Sequence, residues 1–296
     1  MQAMILAAGF GTRLLPYTKY LPKPLFPVLN TPLLLAAVNR LKNSGFSKII
    51  VNCHHLGDQI VSCLRDIPGV SVQQEEVILG TGGGLRRALD KLDDEPLLVV
   101  NGDIYHTIDV GELYRYHVEA ENAVTMAVHD CPRFNKITVE GQQITGFDGS
   151  RQEGEQLAYT GVQVINPELL LGIKKETASC IIEYYRRLLA QNRAIHARRF
   201  DRCNWTDMGT PEDYLQLHGA LLSGQVPCWP ELGCEAEKLC LDAGAEWADD
   251  LEVVDWACIG KARIGSQVKL CRCVVWDGAV IGPGRVLTDE IVLPHH

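Results

Sequence analysis

Two glycines, an arginine and a lysine held between prolines open the chain in a pattern suited to polyphosphate. Residues 6–16 read Leu-Ala-Ala-Gly-Phe-Gly-Thr-Arg-Leu-Leu-Pro, and residues 22–25 read Pro-Lys-Pro-Leu. The apolar residues before Gly9 suit a buried strand. Gly9 and Gly11 then let the backbone approach a ligand and aim N–H groups at anionic oxygens. Arg13 can fork onto two phosphate oxygens. The prolines around Lys23 stiffen its backbone and limit the entropy lost on binding. Two other readings compete. One is a plain strand and turn with a solvated arginine. The other is a dinucleotide fingerprint, but Leu14 stands where its third glycine belongs, Pro16 interrupts the helix, and no acid follows near twenty residues on. No Walker-type G-x-x-x-x-G-K-[ST] run occurs.

Three further segments carry chemistry. Residues 79–84 read Leu-Gly-Thr-Gly-Gly-Gly. Glycines there let a flat base lie against backbone, the alternative being a flexible turn feeding a helix. Asn101-Gly102-Asp103 follows an apolar strand, and Trp205-Thr206-Asp207 precedes a helix start at Thr210-Pro211. A carboxylate at a strand end can hold Mg²⁺, which binds through few protein ligands and substrate phosphates. A lone aspartate beside glycine more often makes a turn; two such sites beside a phosphate loop favour metal binding.

The elements that must position these groups alternate between strand and helix. Strands are expected at residues 3–8, 48–52, 69–74 and 96–100. Helices are expected over 33–44, from 56–64 and over 84–92. This order implies a parallel sheet with ligands at the carboxyl ends of its strands. Residues 123–165 look richer in strand, which suggests an antiparallel insert beside that sheet. A helix capped by Thr210 should run to about Leu222. In the tail, small aliphatics recur about six residues apart, with Gly after some, as in a parallel β-helix.

The signature of residues 6–25 resembles that of the sugar-phosphate nucleotidyltransferase family, and the resemblance covers most of residues 1–222. It implies an α/β fold: a Rossmann-like, mostly parallel sheet with helices on both faces. It also implies a short C-terminal left-handed parallel β-helix. The boundaries read as a catalytic domain at 1–222, a linker at 223–245 and the partial β-helix at 246–296. By resemblance, nucleotide contacts fall on Ala8, Gly9, Gly11, Thr12, Arg13, Lys23, Glu75, Gly80, Thr81 and Gly82. Arg13, Lys23 and Asp103 are the catalytic candidates, and Asp103 and Asp207 hold Mg²⁺ jointly. Gly146, Thr160 and Gly161 match the family's sugar-phosphate segments. Where many members continue with Glu-Lys-Pro, this chain has Asp148-Gly149-Ser150-Arg151, so Arg151 is a substitute candidate for the anchoring lysine. The implied reaction joins a nucleoside triphosphate to a sugar 1-phosphate. The β-helix tail points the resemblance toward a mannose-1-phosphate guanylyltransferase, the expected activity. A uridylyltransferase for N-acetylmuramate 1-phosphate or another hexose 1-phosphate, and a non-catalytic nucleotide-sugar-binding subunit, are the alternatives.

Bulk properties agree. The net charge of −9 argues against nucleic acid and anionic membrane. Charge is unevenly spread: residues 1–57 carry six Lys or Arg and no acid, so an anionic ligand is expected near them. No apolar run approaches the length of a membrane span, and no signal peptide is visible, so a cytoplasmic location is expected. The 11 cysteines are scattered without any Cys-x-x-Cys, which reads as reduced, buried thiols. Adjacent His54 and His55 would point to opposite faces of a strand and so carry no metal pair. A β-helix leaves strand edges able to pair, which allows a homo-oligomer.

Overall fold

The computed structural model describes residues 1–149, 153–233 and 237–294. Compactness divides the chain into two units. The first comprises residues 1–10 and 38–205, the second residues 11–37 and 206–296.

A nine-stranded sheet organises the first unit. Its strands are β1 (Gln2–Leu6), β2 (Lys48–Cys53), β3 (Val70–Gln74), β4 (Leu97–Asn101), β5 (Val124–His129), β6 (Ile137–Glu140), β7 (Gln143–Gly146), β8 (Glu155–Ile165) and β9 (His196–Arg199). Their spatial order is β3-β2-β1-β4-β8-β5-β9-β7-β6, with β8 also reaching β6. Strands β3, β2, β1 and β4 run parallel. Ala3, Met4 and Ile5 are all fully buried, so this part reads as a continuous apolar run rather than an alternation. β8 is antiparallel to both β4 and β5, while β5 and β9 are parallel. The sheet is therefore mixed rather than mostly parallel. The strand-rich stretch expected beside the sheet is continuous with it, because β8 pairs directly with β4.

Helices lie on both faces. Residues of α3 (Gly80–Ala88) and α5 (Ile181–Ala190) share one apolar cluster with Met4, Val99 and Met126. On the face of Thr125 sits α4 (Val110–Glu119), whose His117 Nδ1 lies 3.0 Å from Thr125 Oγ1. The remaining helices are α1 (Leu33–Asn43) and α2 (Gly57–Leu64). α3 begins at Gly80, four residues before its expected start, so the glycine run is helix rather than loop.

The second unit joins residues 11–37 to a helix and a strand stack. α6 (Pro211–Leu222) starts as expected, with Thr210 Oγ1 accepting from Asp213 N at 3.1 Å. Eight short strands follow: β10 (Leu239–Leu241), β11 (Glu246–Trp247), β12 (Glu252–Ile259), β13 (Arg263–Ile264), β14 (Lys269–Val275), β15 (Val280–Ile281), β16 (Val286–Thr288) and β17 (Ile291–Val292). They form two parallel sheets: β10-β12-β14-β16 with β17 on β14, and β11-β13-β15. Glu246 pairs with Arg263 and Arg263 with Val280, a step of 17 residues each time. Leu239–Leu241 lies inside the stretch expected as linker, yet it is a strand of the stack. Ala257, Ile259, Val275 and Ile281 fill the interior.

Aromatic packing fastens residues 11–37 to this stack. Phe26 meets Trp276 edge-on at 4.8 Å and Tyr214 at 5.7 Å. Trp276 Nε1 donates to Tyr214 Oη at 3.2 Å, and Tyr214 Oη donates to Pro27 O. Asn30 Nδ2 donates to Ile259 O at 3.0 Å. The expected boundary at 222 does not mark this association, which depends on contacts far apart in sequence.

Candidate functional site

In the second unit, one carboxylate gathers both predicted cations. Lys23 Nζ lies 3.1 Å from Asp207 Oδ1, and Arg13 Nη2 lies 3.4 Å from Asp207 Oδ2. The lysine side chain is 6 % exposed and the arginine 61 %. Thus one cation is built into the protein and the other reaches solvent. Gly11 sets the turn with φ +61°, a conformation glycine adopts without steric cost. A Cβ there would lie 2.8 Å from Thr18 Cγ2. A short 3₁₀ turn, Thr12–Leu14, follows, and fully buried Leu14 anchors it while Thr12 and Arg13 face out. Gly209 is needed from the other side: its Cβ would stand 2.6 Å from Arg13 Nη1 and 3.0 Å from Asp207 Oδ2. The structure thus brings Arg13, Lys23 and Asp207 together, leaving a net positive group that an anion can meet.

Asp103 belongs to the first unit, just beyond β4. Gly102 N donates to Leu6 O at 2.9 Å, and a Cβ on Gly102 would lie 3.0 Å from Ile5 Cγ2. Glycine is what lets the chain hug β1 before turning Asp103 to the sheet edge. Gly161, at φ +79°, sits where β8 loses register against β5. Its Cβ would come 2.5 Å from Ile104 Cδ1 and 2.9 Å from Asn101 Nδ2. The Thr160-Gly161 segment therefore abuts the residues on either side of Asp103. Thr160 is fully buried, and its hydroxyl donates to Ala127 O at 2.8 Å. Gly146 lies apart from this segment. It pairs with Thr138, whose neighbour on β8 is Gln156, four residues before Thr160. Gly146 instead lines a 610 Å³ cavity at the far edge of the sheet, with Arg186 and Arg193. Arg151 lies outside the described residues.

The glycines of α3 are filled from within the protein. Gly82 N donates to Ser179 O at 2.9 Å, and Thr81 Oγ1 accepts from Ile181 N at 2.9 Å. Added Cβ atoms would stand 2.6 Å from Ser179 O at Gly80 and 2.5 Å from Thr177 O at Gly83. Close packing of residues 177–181 thus accounts for Gly80, Gly82 and Gly83, while Gly84 lies against the Asn52 and Glu75 side chains. Glu75 is buried; its carboxylate accepts from Asn52 Nδ2 at 2.8 Å and from Leu79 N at 2.9 Å. Asn52 Oδ1 in turn accepts from Ala7 N at 2.9 Å. This chain of bonds ties the start of α3 to the end of β1, where buried Ala8 leads to exposed Gly9. Around Gly9 a Cβ would meet nothing within 4 Å, so no packing demands that glycine.

Several neighbours escaped the sequence reading. Asn52 looked like an ordinary strand residue. His54 and His55 lie beyond the end of β2, so the opposite-faces expectation does not apply; both flank exposed Phe10, at 5.3 and 6.1 Å. Among the described residues, no three of His, Cys, Asp or Glu cluster as a metal site. No disulfide joins the ten described cysteines to one another, and four of them are buried. No helix among the described residues is long and apolar enough to cross a membrane.

Comparison with known proteins places these observations. The sequence profile described as "Nucleotidyl transferase" matches residues 2–224. The chain is 27 % identical to a mannose-1-phosphate guanylyltransferase of Mycobacterium tuberculosis, over 97 % of this chain and 83 % of that protein. It is 32 % identical to an N-acetylmuramate alpha-1-phosphate uridylyltransferase of Neisseria meningitidis serogroup B, over 71 % of this chain and 94 % of that protein. Among solved structures, HddC of Yersinia pseudotuberculosis with GMP-PN superposes with a TM-score of 0.62 at 22 % identity, covering 73 % of this chain and 97 % of that one. That likeness concerns the fold.

Proposed function

The chain belongs to the nucleotidyl transferase family, and from that premise we propose that it joins a sugar 1-phosphate to a nucleoside triphosphate, releasing pyrophosphate. The observation that carries this reading is the meeting of Arg13 and Lys23 on Asp207 behind the Gly11 turn. A sugar-phosphate oxygen attacks the α-phosphorus, a new P–O bond forms, and the bond from the α-phosphorus to the bridging oxygen breaks. No protein base is needed, because the attacking phosphate is already anionic at pH 7. The barrier is charge crowding, which Arg13, Lys23 and backbone N–H groups of the loop would neutralise. Ala8, Gly9, Gly11 and Thr12 line the triphosphate, and Glu75, Gly80, Thr81 and Gly82 border the base. The Thr160-Gly161 segment faces the sugar phosphate. Gly146 stays a weaker candidate, given its position.

Asp103 and Asp207 offer the hard carboxylate oxygens that suit magnesium, and we assign Mg²⁺ to them. Bound there, it would supply further positive charge for the triphosphate. Relatives with this name and the parallel strand stack of the tail favour a mannose-1-phosphate guanylyltransferase. The Thr81–Gly84 run and the N-acetylmuramate relative favour a uridylyltransferase as the second reading. We take residues 1–222 as the catalytic portion and the strand stack, which begins at Leu239, as a left-handed β-helix. The parallel stack with its 17-residue step supports that assignment. A cytoplasmic enzyme, with the stack's edges open to a second copy, completes the reading.

Pyrophosphate release from four nucleoside triphosphates against a panel of sugar 1-phosphates, with and without Mg²⁺, tests it. One pair should stand out and should require the metal. Silence across the whole matrix would leave a non-catalytic binding subunit.

A further inference from the structure

His129 ends β5 with a buried nitrogen that lacks a bond. The residue is 6 % exposed, and its Nε2 has no hydrogen-bond partner among the described residues. A buried polar atom without a partner is costly and uncommon. Burial lowers the imidazole's pKa despite Asp130 and Asp201 nearby, so at neutral pH the ring keeps one donor and one acceptor. Its neighbours are aromatic. The Trp205 ring lies 5.0 Å away, inclined at 57°, and Phe134 packs on Trp205 at 5.2 Å. Trp205 Nε1 donates to Thr160 O at 2.8 Å, which fixes the indole to the irregular stretch of β8.

Topology says which part of a substrate belongs there. β8 is antiparallel to both β4 and β5, so His129 and Asn101 end their strands at the same edge. On β8, Ala158 pairs with His129, and a Cβ on Gly161, three residues on, would meet Asn101 and Ile104, which flank Asp103. Glu75, just past β3, is five strands from β5 in the sheet order. At roughly 4.8 Å per strand that is about 24 Å. A base beside Glu75 and α3 does not reach His129, whereas a group beyond Asp103 on that side does.

We propose that His129 hydrogen-bonds a hydroxyl of the sugar 1-phosphate, with the Trp205 indole covering the pyranose C–H face. The inference rests on the nucleotidyltransferase reading and deepens it: His129 selects the sugar. An aromatic wall with one placed polar atom is the usual composition of a small-molecule subsite. Sites built to bond a hydroxyl discriminate strongly against analogues that lack it.

The test measures pyrophosphate release by wild type, His129→Phe and His129→Gln. The substrates are the accepted hexose 1-phosphate and its monodeoxy analogues. His129→Phe keeps an aromatic ring but removes the nitrogen. It should raise the KM for sugar phosphate roughly 10- to 100-fold and leave the KM for nucleotide unchanged. Wild type should reject one deoxy analogue, and His129→Phe should no longer distinguish it from the parent. His129→Gln should recover part of that discrimination. Thermal melting reports whether each variant folds; if His129→Phe does not, His129→Gln and the wild-type panel carry the test. Unchanged discrimination in a folded variant overturns the role of His129 while leaving the reaction intact. Wild type that turns over no pair at all removes the reaction and this inference with it.

Discussion

The pairing of Lys23 with Asp207 makes a quantitative claim about both stability and activity. The two side chains are 6 % and 15 % exposed, with 3.1 Å between Nζ and Oδ1. At an effective permittivity of about 20, the gross attraction at that distance is about 5 kcal/mol. Desolvation offsets much of it, yet removing one member of a buried pair still costs about 3–5 kcal/mol. Asp207 retains Arg13 at 3.4 Å, so Lys23→Met should fall at the lower end, about 3 kcal/mol. Asp207→Asn takes the carboxylate from beside the buried ammonium and should cost about as much. The double variant leaves only the mostly exposed Arg13 without its carboxylate and should cost little more than either single one. The cycle therefore gives a coupling of about 2–3 kcal/mol, where independent sites add within about 0.5. Thermal unfolding of the four proteins measures it, each kcal/mol moving the midpoint by about 2 °C at this chain length. Pyrophosphate release should fall at least about 100-fold in both single variants. Additive stabilities, or a Lys23→Met protein that melts with wild type, would refute the buried pair.

Other perturbations separate the roles further. Arg13→Ala removes a mostly exposed side chain, so it should leave the melting temperature nearly unchanged while turnover drops about 100-fold. An unchanged rate takes Arg13 out of the chemistry. Gly83→Ala drives a Cβ to 2.5 Å from the Thr177 carbonyl oxygen and should destabilise by about 1–3 kcal/mol. Gly9→Ala meets nothing and should stay within about 0.5 kcal/mol of wild type, yet weaken nucleotide binding in isothermal titration. Equal affinity would show that no ligand approaches that backbone. His218 is fully buried; its Nδ1 donates to Tyr214 O at 3.0 Å and its Nε2 accepts from Leu29 N at 3.3 Å. Burial pushes its pKa down to about 4 from 6.5. Below pH 6.5 the unfolded chain takes up a proton that the folded one refuses. Its contribution, intact above pH 6.5, should therefore be lost by about 1.4 kcal/mol per pH unit down to about pH 4. Urea titrations of wild type and His218→Gln should differ in slope across that window; parallel curves would exclude His218.

Sequence alone determined the local chemistry of this protein. Residues 9–13 and Lys23 read as an anion site because glycine, arginine and proline each constrain backbone or charge within a few residues, and the structure brings Arg13 and Lys23 onto one carboxylate. Thr210-Pro211 declared a helix start, which α6 honours, and the apolar run before Gly102 declared β4. The tertiary structure decided everything that depends on distant segments. Residues 81–84 looked like a loop but form the first turns of α3, where Gly80, Gly82 and Gly83 admit residues 177–181 and Gly84 faces Asn52 and Glu75. Glu75 and Asn52 meet because β2 and β3 pair side by side, and Asn52 also bonds Ala7 just past β1. Residues 11–37 pack with α6 and Trp276 through partners far along the chain, Phe26 meeting Tyr214 and Trp276. His129 had no signal at all in the sequence, since an unsatisfied nitrogen is defined by what surrounds it. Short-range steric and charge preferences are written in neighbouring residues, while burial and partner choice arise only when the chain closes on itself.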